Sequence, residues 1–131
     1  MKFLVVDDDE GIQLYITKIL KDYGEVEQAW TAEEAEALFA KALGSTPVQA
    51  VFMDIMLPGR DGHDIAARLR EMERLAGVSA HKGFKLIMMS ALDDVENVGR
   101  AYYQGQASGY VTKPFTKDRL VSELRVAGLL G

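Results

Sequence analysis

The sequence predicts an α/β protein in which five strand–helix units build one doubly wound parallel sheet, with helices on both faces. Three observations support this. Short continuous apolar runs, typical of strands buried on both faces, alternate with apolar stripes at helical spacing. Helix-capping residues stand between the two kinds of segment. The alternation occurs five times along the chain, and right-handed crossovers then leave few topologies.

The first two units occupy the N-terminal third of the chain. Residues 3–6 form the first apolar run, and Gly24 ends the helix after it. The stripe of that helix consists of Ile12, Tyr15, Ile16, Ile19 and Leu20. A less apolar second strand is predicted at 26–30. Thr31 and Glu34 then form a capping box, in which hydroxyl and carboxylate satisfy free amides at the start of the second helix.

The other three units follow the same order. Their strands are predicted at 48–53, 84–89 and 110–111. Their helices are predicted to begin at Gly62, at Asp93 with Glu96 three residues on, and at Thr116. The loop 77–83 is long for a connection between a helix and a strand.

Composition limits the classes of function. A length of 131 residues predicts a single domain, 1–131. The net charge of -5 argues against a nucleic-acid surface. No cysteine is present, which excludes disulfides and thiolate metal sites and fits a cytoplasmic protein. No apolar run is long enough to span a bilayer, and MKFLVVDDD is not a signal peptide. We expect a cytoplasmic protein with no membrane partner. The end at LRVAGLLG permits either a whole protein or a piece of a larger one, and we expect a stand-alone protein because Met1 stands where a native start would.

Polar residues stand at four of the five predicted strand ends. Asp7 and Asp8 follow the first strand, Asp54 ends the third, Ser90 ends the fourth and Lys113 follows the fifth. The carboxyl ends of parallel strands meet at one edge of the sheet, where open α/β sheets bind ligands. We therefore expect these side chains to converge.

The acids at this edge indicate a bound metal ion. Carboxylates a few ångströms apart repel one another by roughly 1–4 kcal/mol per pair, and a divalent cation relieves this repulsion. Oxygen ligands without Cys or His favour Mg²⁺ over Zn²⁺. A lysine and a hydroxyl beside such a cation are typical of a site that handles phosphoryl groups.

Four segments, in order, carry a family resemblance: FLVVDDDE, MDIMLPGRDG, MMSA and SGYVTKPF. Together they resemble the response-regulator receiver domain of two-component signalling, of the single-domain chemotaxis type. The resemblance covers essentially the whole chain. It implies a flavodoxin-like (βα)5 sheet with strand order 2-1-3-4-5 and a role as phosphoacceptor in a phosphorelay, rather than as an enzyme acting on other molecules.

The resemblance also implies roles for individual residues. Asp54 would accept the phosphoryl group from the phosphohistidine of a sensor histidine kinase or a histidine phosphotransfer protein. Lys113 would pair with that group, and Ser90 would donate a hydrogen bond to it. The Mg²⁺ ligands would be Asp7 (mostly through water), Asp8, Asp54 and the backbone carbonyl of Met56.

Four further features of the sequence carry expectations. Asp9 lies one place beyond the acidic pair and is predicted to be the N-terminal acid of the first helix. The Lys113–Pro114 peptide is cis in the family. The two histidines, His63 and His81, are not at strand ends and are predicted to be surface residues.

A conformational switch is the next implication. On phosphorylation Ser90 would move toward the phosphoryl group and Tyr110 would fill the space it leaves; alternatively, Tyr110 is a static, half-buried aromatic. The switch would remodel the face of the fourth helix, fifth strand and fifth helix. That face includes Arg100, Tyr102 and Tyr103. Its output partner is not identified by the motifs, and a monomer or a weak dimer is expected.

The phosphoryl group is also expected to be long-lived. Met56 and Leu92 flank its expected position, and neither side chain can orient an attacking water by hydrogen bonding. We therefore predict self-dephosphorylation over minutes or longer.

Two other protein classes fit part of the pattern. A haloacid-dehalogenase-type phosphatase would use Asp7 as nucleophile, but Gly11 stands where that signature has Thr or Val, and no late acidic pair follows Lys113. A flavodoxin-like cofactor module would need a Ser/Thr/Gly-rich phosphate loop after the first strand, and DDDEG has the wrong charge for that.

Overall fold

The computed structural model describes residues 1–91 and 107–130 and contains the predicted alternation of strands and helices. The main strands are β1 (Lys2–Val6), β2 (Glu25–Ala29), β3 (Ala50–Asp54), β4 (Lys85–Ala91) and β5 (Gly109–Lys113). The helices are α1 (Glu10–Leu20), α2 (Ala32–Leu43), α3 (Gly62–Leu75) and the C-terminal helix (Lys117–Val126). A small hairpin pairs Met56–Leu57 with Arg60–Asp61, and a 3₁₀ turn spans Ala80–Lys82.

Part of the predicted switch face lies outside the described residues. This applies to the predicted fourth helix and to Leu92, Asp93, Glu96, Arg100, Tyr102 and Tyr103. The described part of that face consists of β5 and the C-terminal helix.

The five main strands form one parallel sheet in the order β2-β1-β3-β4-β5. The predicted fold class and strand order are therefore confirmed. The chain adds β2 on one side of β1 and then β3 on the other side, so the winding direction reverses at β1. A crevice therefore opens beyond the carboxyl ends of β1 and β3. The polar residues at the carboxyl ends of four strands reach this edge: Asp7, Asp54, Ser90 and Lys113.

Alternation along the strands separates two cores, one on each face of the sheet. On one face, Phe52 and Val111 pack with helix α1 and the C-terminal helix; we call this the α1 core. On the other face, Met53 and Met88 pack with α2 and α3; we call this the α2/α3 core. In the part of the chain that the structure describes, no helix combines the length and apolarity that a bilayer span requires.

Side-chain caps fix where the helices begin, as the sequence predicts. Asp9 Oδ1 accepts the amide of Ile12 at the start of α1, at 3.1 Å. The Thr31 hydroxyl accepts the amide of Glu34 at 3.1 Å, although the Glu34 carboxylate receives its bond from that hydroxyl rather than from a backbone amide. Thr116 caps the C-terminal helix in the same way.

The prediction that His63 is a surface residue is wrong. His63 is only 1% exposed, and neither ring nitrogen has a hydrogen-bond partner among the described residues. It lies three residues before Ala66, so it continues the buried stripe of α3 toward the helix N-terminus. His81, in the 3₁₀ turn, is exposed as predicted.

Candidate functional site

Three acids meet at the carboxyl edge of the sheet. One carboxylate oxygen from each of Asp7, Asp8 and Asp54 lies within 4.8 Å of the others. Adjacent parallel strands produce this: β1 and β3 pair with Val6 opposite Met53, so the residues that follow these two leave the sheet side by side. Asp7 and Asp54 are buried, whereas Asp8 is exposed to solvent.

Hydrogen bonds fix both the backbone and the side chain of Asp7. Its amide donates to Ala29 O at 3.1 Å, and its Oδ1 accepts the amide of Asp9 at 2.9 Å. Its carbonyl accepts from Gln13 Nε2 at 3.0 Å. Gln13 is a buried residue that the sequence analysis missed, since it assigned the inward stripe of α1 from apolar positions alone. Its one signal is its place three residues before Ile16 on that stripe.

Lys113 joins the two buried acids. Its Nζ lies 2.7 Å from Asp7 Oδ2 and 3.5 Å from Asp54 Oδ2. Burial by itself lowers the lysine pKa, but the hydrogen bond to Asp7 and the charges of Asp54 and Asp7 outweigh it, so the pKa of Lys113 is raised. The lysine is therefore a fixed cation at neutral pH. The Lys113–Pro114 peptide is cis, as expected.

Asp54 is nearly buried, like Asp7, and its surroundings change its pKa. It is 6% exposed, and its Oδ1 accepts the amide of Met56 at 3.2 Å. Burial, followed by the negative charge of Asp7, raises the pKa of Asp54 from 3.8 to about 6, despite the opposing effect of Lys113. A cation at this carboxylate would favour its ionised form.

Gly62 allows the loop after Asp54 to fold back on the strand. Its amide donates to Ile55 O at 2.7 Å. A Cβ at this position would overlap the carbonyl oxygen of Asp54 and approach Ile55 Cα to 3.0 Å. The backbone that carries Asp54 is thus packed directly against the start of α3.

Ser90 lies at the same edge, but strand alternation directs its side chain to the other face of the sheet. In the β3–β4 register Asp54 pairs with Met89, so Ser90 lies one residue further along. Met89 belongs to the α1 core, and alternation therefore directs Ser90 toward the α2/α3 side. Asp54 and Lys113 instead follow Phe52 and Val111 by two residues and share the α1 side.

Tyr110 lies in β5, three residues before Lys113. Its ring is half-buried and packs against the α2/α3 core. Arg119, on the C-terminal helix, has its guanidinium 5.6 Å from the Tyr110 ring centre and donates to the Tyr110 carbonyl at 3.3 Å. Arg119 also pairs with the buried carboxylate of Glu123 at 2.6 Å.

The donor set of this edge fits a hard divalent cation. Three carboxylates face one ammonium group, so the cluster carries an excess of negative charge that a cation would balance. The donors are oxygens, and the exposed Asp8 leaves room for bound water, which Mg²⁺ retains. Asp8 also lines a cavity of about 490 Å³ with Trp30 and Arg60.

Comparison with known sequences assigns the family. The family model described as "Response regulator receiver domain" matches residues 3–125. The regulatory protein VanRB of Enterococcus faecalis is 36% identical over 131 residues, 99% of this chain and 52% of that protein. The DNA-binding response regulator MtrA of Mycolicibacterium smegmatis is 32% identical, over 95% of this chain and 49% of its own length. The chain thus spans about half the length of the curated relatives it matches.

Solved structures agree. The receiver domain of NtrX from Brucella abortus superposes with a TM-score of 0.77 at 28% identity, covering 95% of this chain and 96% of that one. The chemotaxis protein CheY4 of Vibrio cholerae gives a TM-score of 0.75 at 26% identity, covering 95% of both chains. Phosphoryl transfer to an aspartate is the standard function of such domains, and the phosphatase alternative receives no support. The fold, the four ordered motifs and these matches show that the chain belongs to the response regulator receiver domain family.

Proposed function

We propose that this chain accepts a phosphoryl group on Asp54 from a phosphohistidine of a sensor histidine kinase or a histidine phosphotransfer protein, in an Mg²⁺-dependent reaction. One observation carries the proposal. The Asp54 carboxylate is almost buried, yet it lies within 4.8 Å of carboxylate oxygens of Asp7 and Asp8 and 3.5 Å from the ammonium of Lys113. A purely structural aspartate has little reason to be placed beside two other acids.

In the proposed transfer, one bond to phosphorus forms as another breaks. An Asp54 carboxylate oxygen forms a bond to phosphorus while the phosphorus–nitrogen bond of the donor histidine breaks, and the electron pair stays on the imidazole nitrogen. Lys113 stabilises the charge on the phosphoryl oxygens. Ser90, from the neighbouring strand, donates a hydrogen bond to one of them after its hydroxyl turns toward the α1 side.

The proposed Mg²⁺ ligands are Asp7 (mostly through water), Asp8, Asp54 and the Met56 carbonyl. Bound Mg²⁺ would neutralise the acids and share its remaining positions with phosphoryl oxygens. The Met56 amide already donates to Asp54 Oδ1, which keeps the backbone of Met56 close to that carboxylate and supports its carbonyl as a ligand.

Chemical labelling tests the phosphoacceptor. With phosphoramidate and Mg²⁺, the parent chain should gain the mass of one phosphoryl group, and Asp54→Asn should not. Asp9→Asn is the matched control, because Asp9 caps α1 and an asparagine preserves the cap. Equal labelling of Asp54→Asn and the parent would refute the assignment. Loss of labelling in Asp7→Asn, with retention in Asp54→Asn, would point to the phosphatase alternative.

We also propose a slow loss of the phosphoryl group. The Met56 side chain is 66% exposed at the mouth of the site and offers no hydrogen-bonding group to orient water. The phosphorylated chain alone should therefore persist for minutes or longer, and Met56→Asn should shorten its lifetime. Decay within seconds in the parent, followed by mass spectrometry, would contradict this.

The switch remains part of the proposal. Ser90 and Tyr110 are the proposed pair, and the contact of Arg119 with Tyr110 supports transmission to the C-terminal helix. A static Tyr110 is the alternative. It predicts that Tyr110→Ala leaves the phosphorylation-dependent exchange of amides in the C-terminal helix unchanged.

Location, assembly and partners are proposed at the same level. We propose a cytoplasmic receiver, monomeric or weakly dimeric, that constitutes one domain over residues 1–131 and passes its signal to another protein. The prediction that nucleic acid is not a partner is unconfirmed. Relatives named DNA-binding response regulators match this chain over only about half of their own length.

A further inference from the structure

Gln13 is a buried side chain that the proposed chemistry does not use. It is 0% exposed within α1. Its Nε2 lies 3.2 Å from Val5 O, 3.0 Å from Asp7 O and 2.8 Å from Ala29 O. A side-chain amide has two hydrogens, so three carbonyls share two protons. One side chain thus ties together the end of β1, the end of β2 and the acidic loop.

The contact with the Asp7 carbonyl has consequences for Asp8. The Asp7 C=O and the Asp8 N–H belong to one rigid peptide plane. Gln13 therefore helps to fix the orientation of the peptide from which Asp8 projects. Asp8 itself is exposed, so its direction depends largely on its backbone. Asp7 also accepts the Asp9 amide and donates its own amide to Ala29 O, but the bond to its carbonyl comes from Gln13 on helix α1.

We propose that Gln13 is a positioning residue for the divalent-cation site and acts through the Asp7–Asp8 peptide. The proposal rests on the proposed function, since it concerns the same metal site. Without the Gln13 amide, the carbonyls of Val5, Asp7 and Ala29 each lose one donor, although Ala29 O keeps the Asp7 amide. The Asp7–Asp8 peptide is then free to turn toward water. The Asp8 carboxylate then leaves the position in which it lies within 4.8 Å of the other two.

Magnesium titration of Gln13→Met tests the proposal. Methionine keeps the length and apolar volume of the side chain but removes the donor. Trp30, the single tryptophan, lines the same cavity as Asp8, so its fluorescence should report binding, with calorimetry as a second readout. Loss of a partner that orients a metal ligand lowers affinity by roughly 10–100-fold, and we expect the Mg²⁺ dissociation constant to rise by that factor.

Thr17→Val is the matched control. The Thr17 hydroxyl accepts from Gln28 Nε2 at 2.8 Å, so this variant also removes a bond between α1 and β2 without touching the acidic loop. Its Mg²⁺ affinity should stay within about twofold of the parent. Gln13→Ala, which leaves room for water, should also weaken binding, and it decides the test if Gln13→Met does not fold.

A measurement without metal separates the positioning role of Gln13 from the proposed metal site itself. In EDTA, the amides of Asp7 and Asp9 should exchange with solvent faster in both Gln13 variants, but not in Thr17→Val. Parental Mg²⁺ affinity and parental exchange in both Gln13 variants would overturn the inference alone. A parent chain that does not respond to Mg²⁺ would instead overturn the proposed metal site, and this inference with it.

Discussion

At the scale of single residues, Asp54 is a carboxylate whose surroundings oppose its own charge. Burial and the neighbouring Asp7 raise its pKa to about 6, whereas Lys113 offsets only part of that effect. The folded chain without metal therefore binds a proton at Asp54 more tightly than the unfolded chain. A positive charge close to Asp54 would therefore stabilise its ionised form.

The metal-free chain should thus lose stability as pH rises through this pKa. The favourable contribution of neutral Asp54 is complete below pH 3.8 and disappears as pH passes about 6. Relative to Asp54→Asn in EDTA, the parent should lose roughly 1–3 kcal/mol between pH 4 and pH 7.5, because one pKa unit corresponds to about 1.4 kcal/mol. Urea unfolding at both pH values measures this. Parallel pH profiles for the two proteins would contradict it.

His63 is a second residue whose burial is unfavourable, because its side chain is polar. Both ring nitrogens are buried without a partner among the described residues. His63→Leu should therefore raise the free energy of unfolding by about 1 kcal/mol or more, measured with urea at pH 7. His81→Leu is the matched control, since His81 is exposed and its replacement should change stability by less than about 0.5 kcal/mol. A clear destabilisation by His63→Leu would show that the ring is satisfied in solution.

At the scale of elements, the end of β3 and the start of α3 are packed too closely for a side chain. Gly62→Ala places a methyl group against the Asp54 carbonyl, so one of the two segments must shift. We expect a loss of about 1–3 kcal/mol in stability, together with slower phosphoramidate labelling of Asp54.

Gly44→Ala is the control for this change. A Cβ at Gly44 meets its nearest neighbour, Lys41 O, at 3.7 Å, an ordinary contact. Its stability and labelling should match the parent. Parental stability and labelling in Gly62→Ala would mean that the loop is looser than described.

The elements also show how far sequence reasoning reaches. Parallel strands send Asp7, Asp8, Asp54, Ser90 and Lys113 to one edge, and that convergence could be predicted from the alternation of strand and helix. The face from which Ser90 projects needed the register of β4, because one step along a strand reverses a side chain. Gln13 and His63 escaped prediction because apolar periodicity ignores polar residues on a buried stripe. The Gln13 side chain donates to backbone carbonyls, and the His63 ring has no hydrogen-bond partner within residues 1–91 and 107–130. Neither arrangement leaves a pattern in the sequence.

At the scale of the whole molecule, the acidic edge should make folding depend on divalent cations. In the proposed site, Mg²⁺ would bind the assembled acids and not the unfolded chain, so adding Mg²⁺ should raise the melting temperature. The gain is about 2.7 kcal/mol at roughly 100 times the dissociation constant. Asp8→Asn should lose most of this gain, whereas Asp22→Asn, in the exposed turn after α1, should keep it. NaCl at equal ionic strength controls for screening, and an equal shift in Asp8→Asn would contradict the site.

The return from α3 to the sheet is anchored before β4 begins. Glu73 Oε2 accepts the amide of Phe84 at 2.8 Å, Arg70 donates to the carbonyl of the same residue, and its guanidinium lies 3.7 Å from the Phe84 ring centre. Both polar backbone groups of Phe84 are thus engaged by α3, and Ser90 follows six residues later along a paired strand. Residues inserted into the loop 77–83 would enlarge only the surface at the opposite end of the sheet. The number of residues between Phe84 and Ser90, which brings the Ser90 hydroxyl to the edge with Asp54, therefore does not depend on the length of this loop.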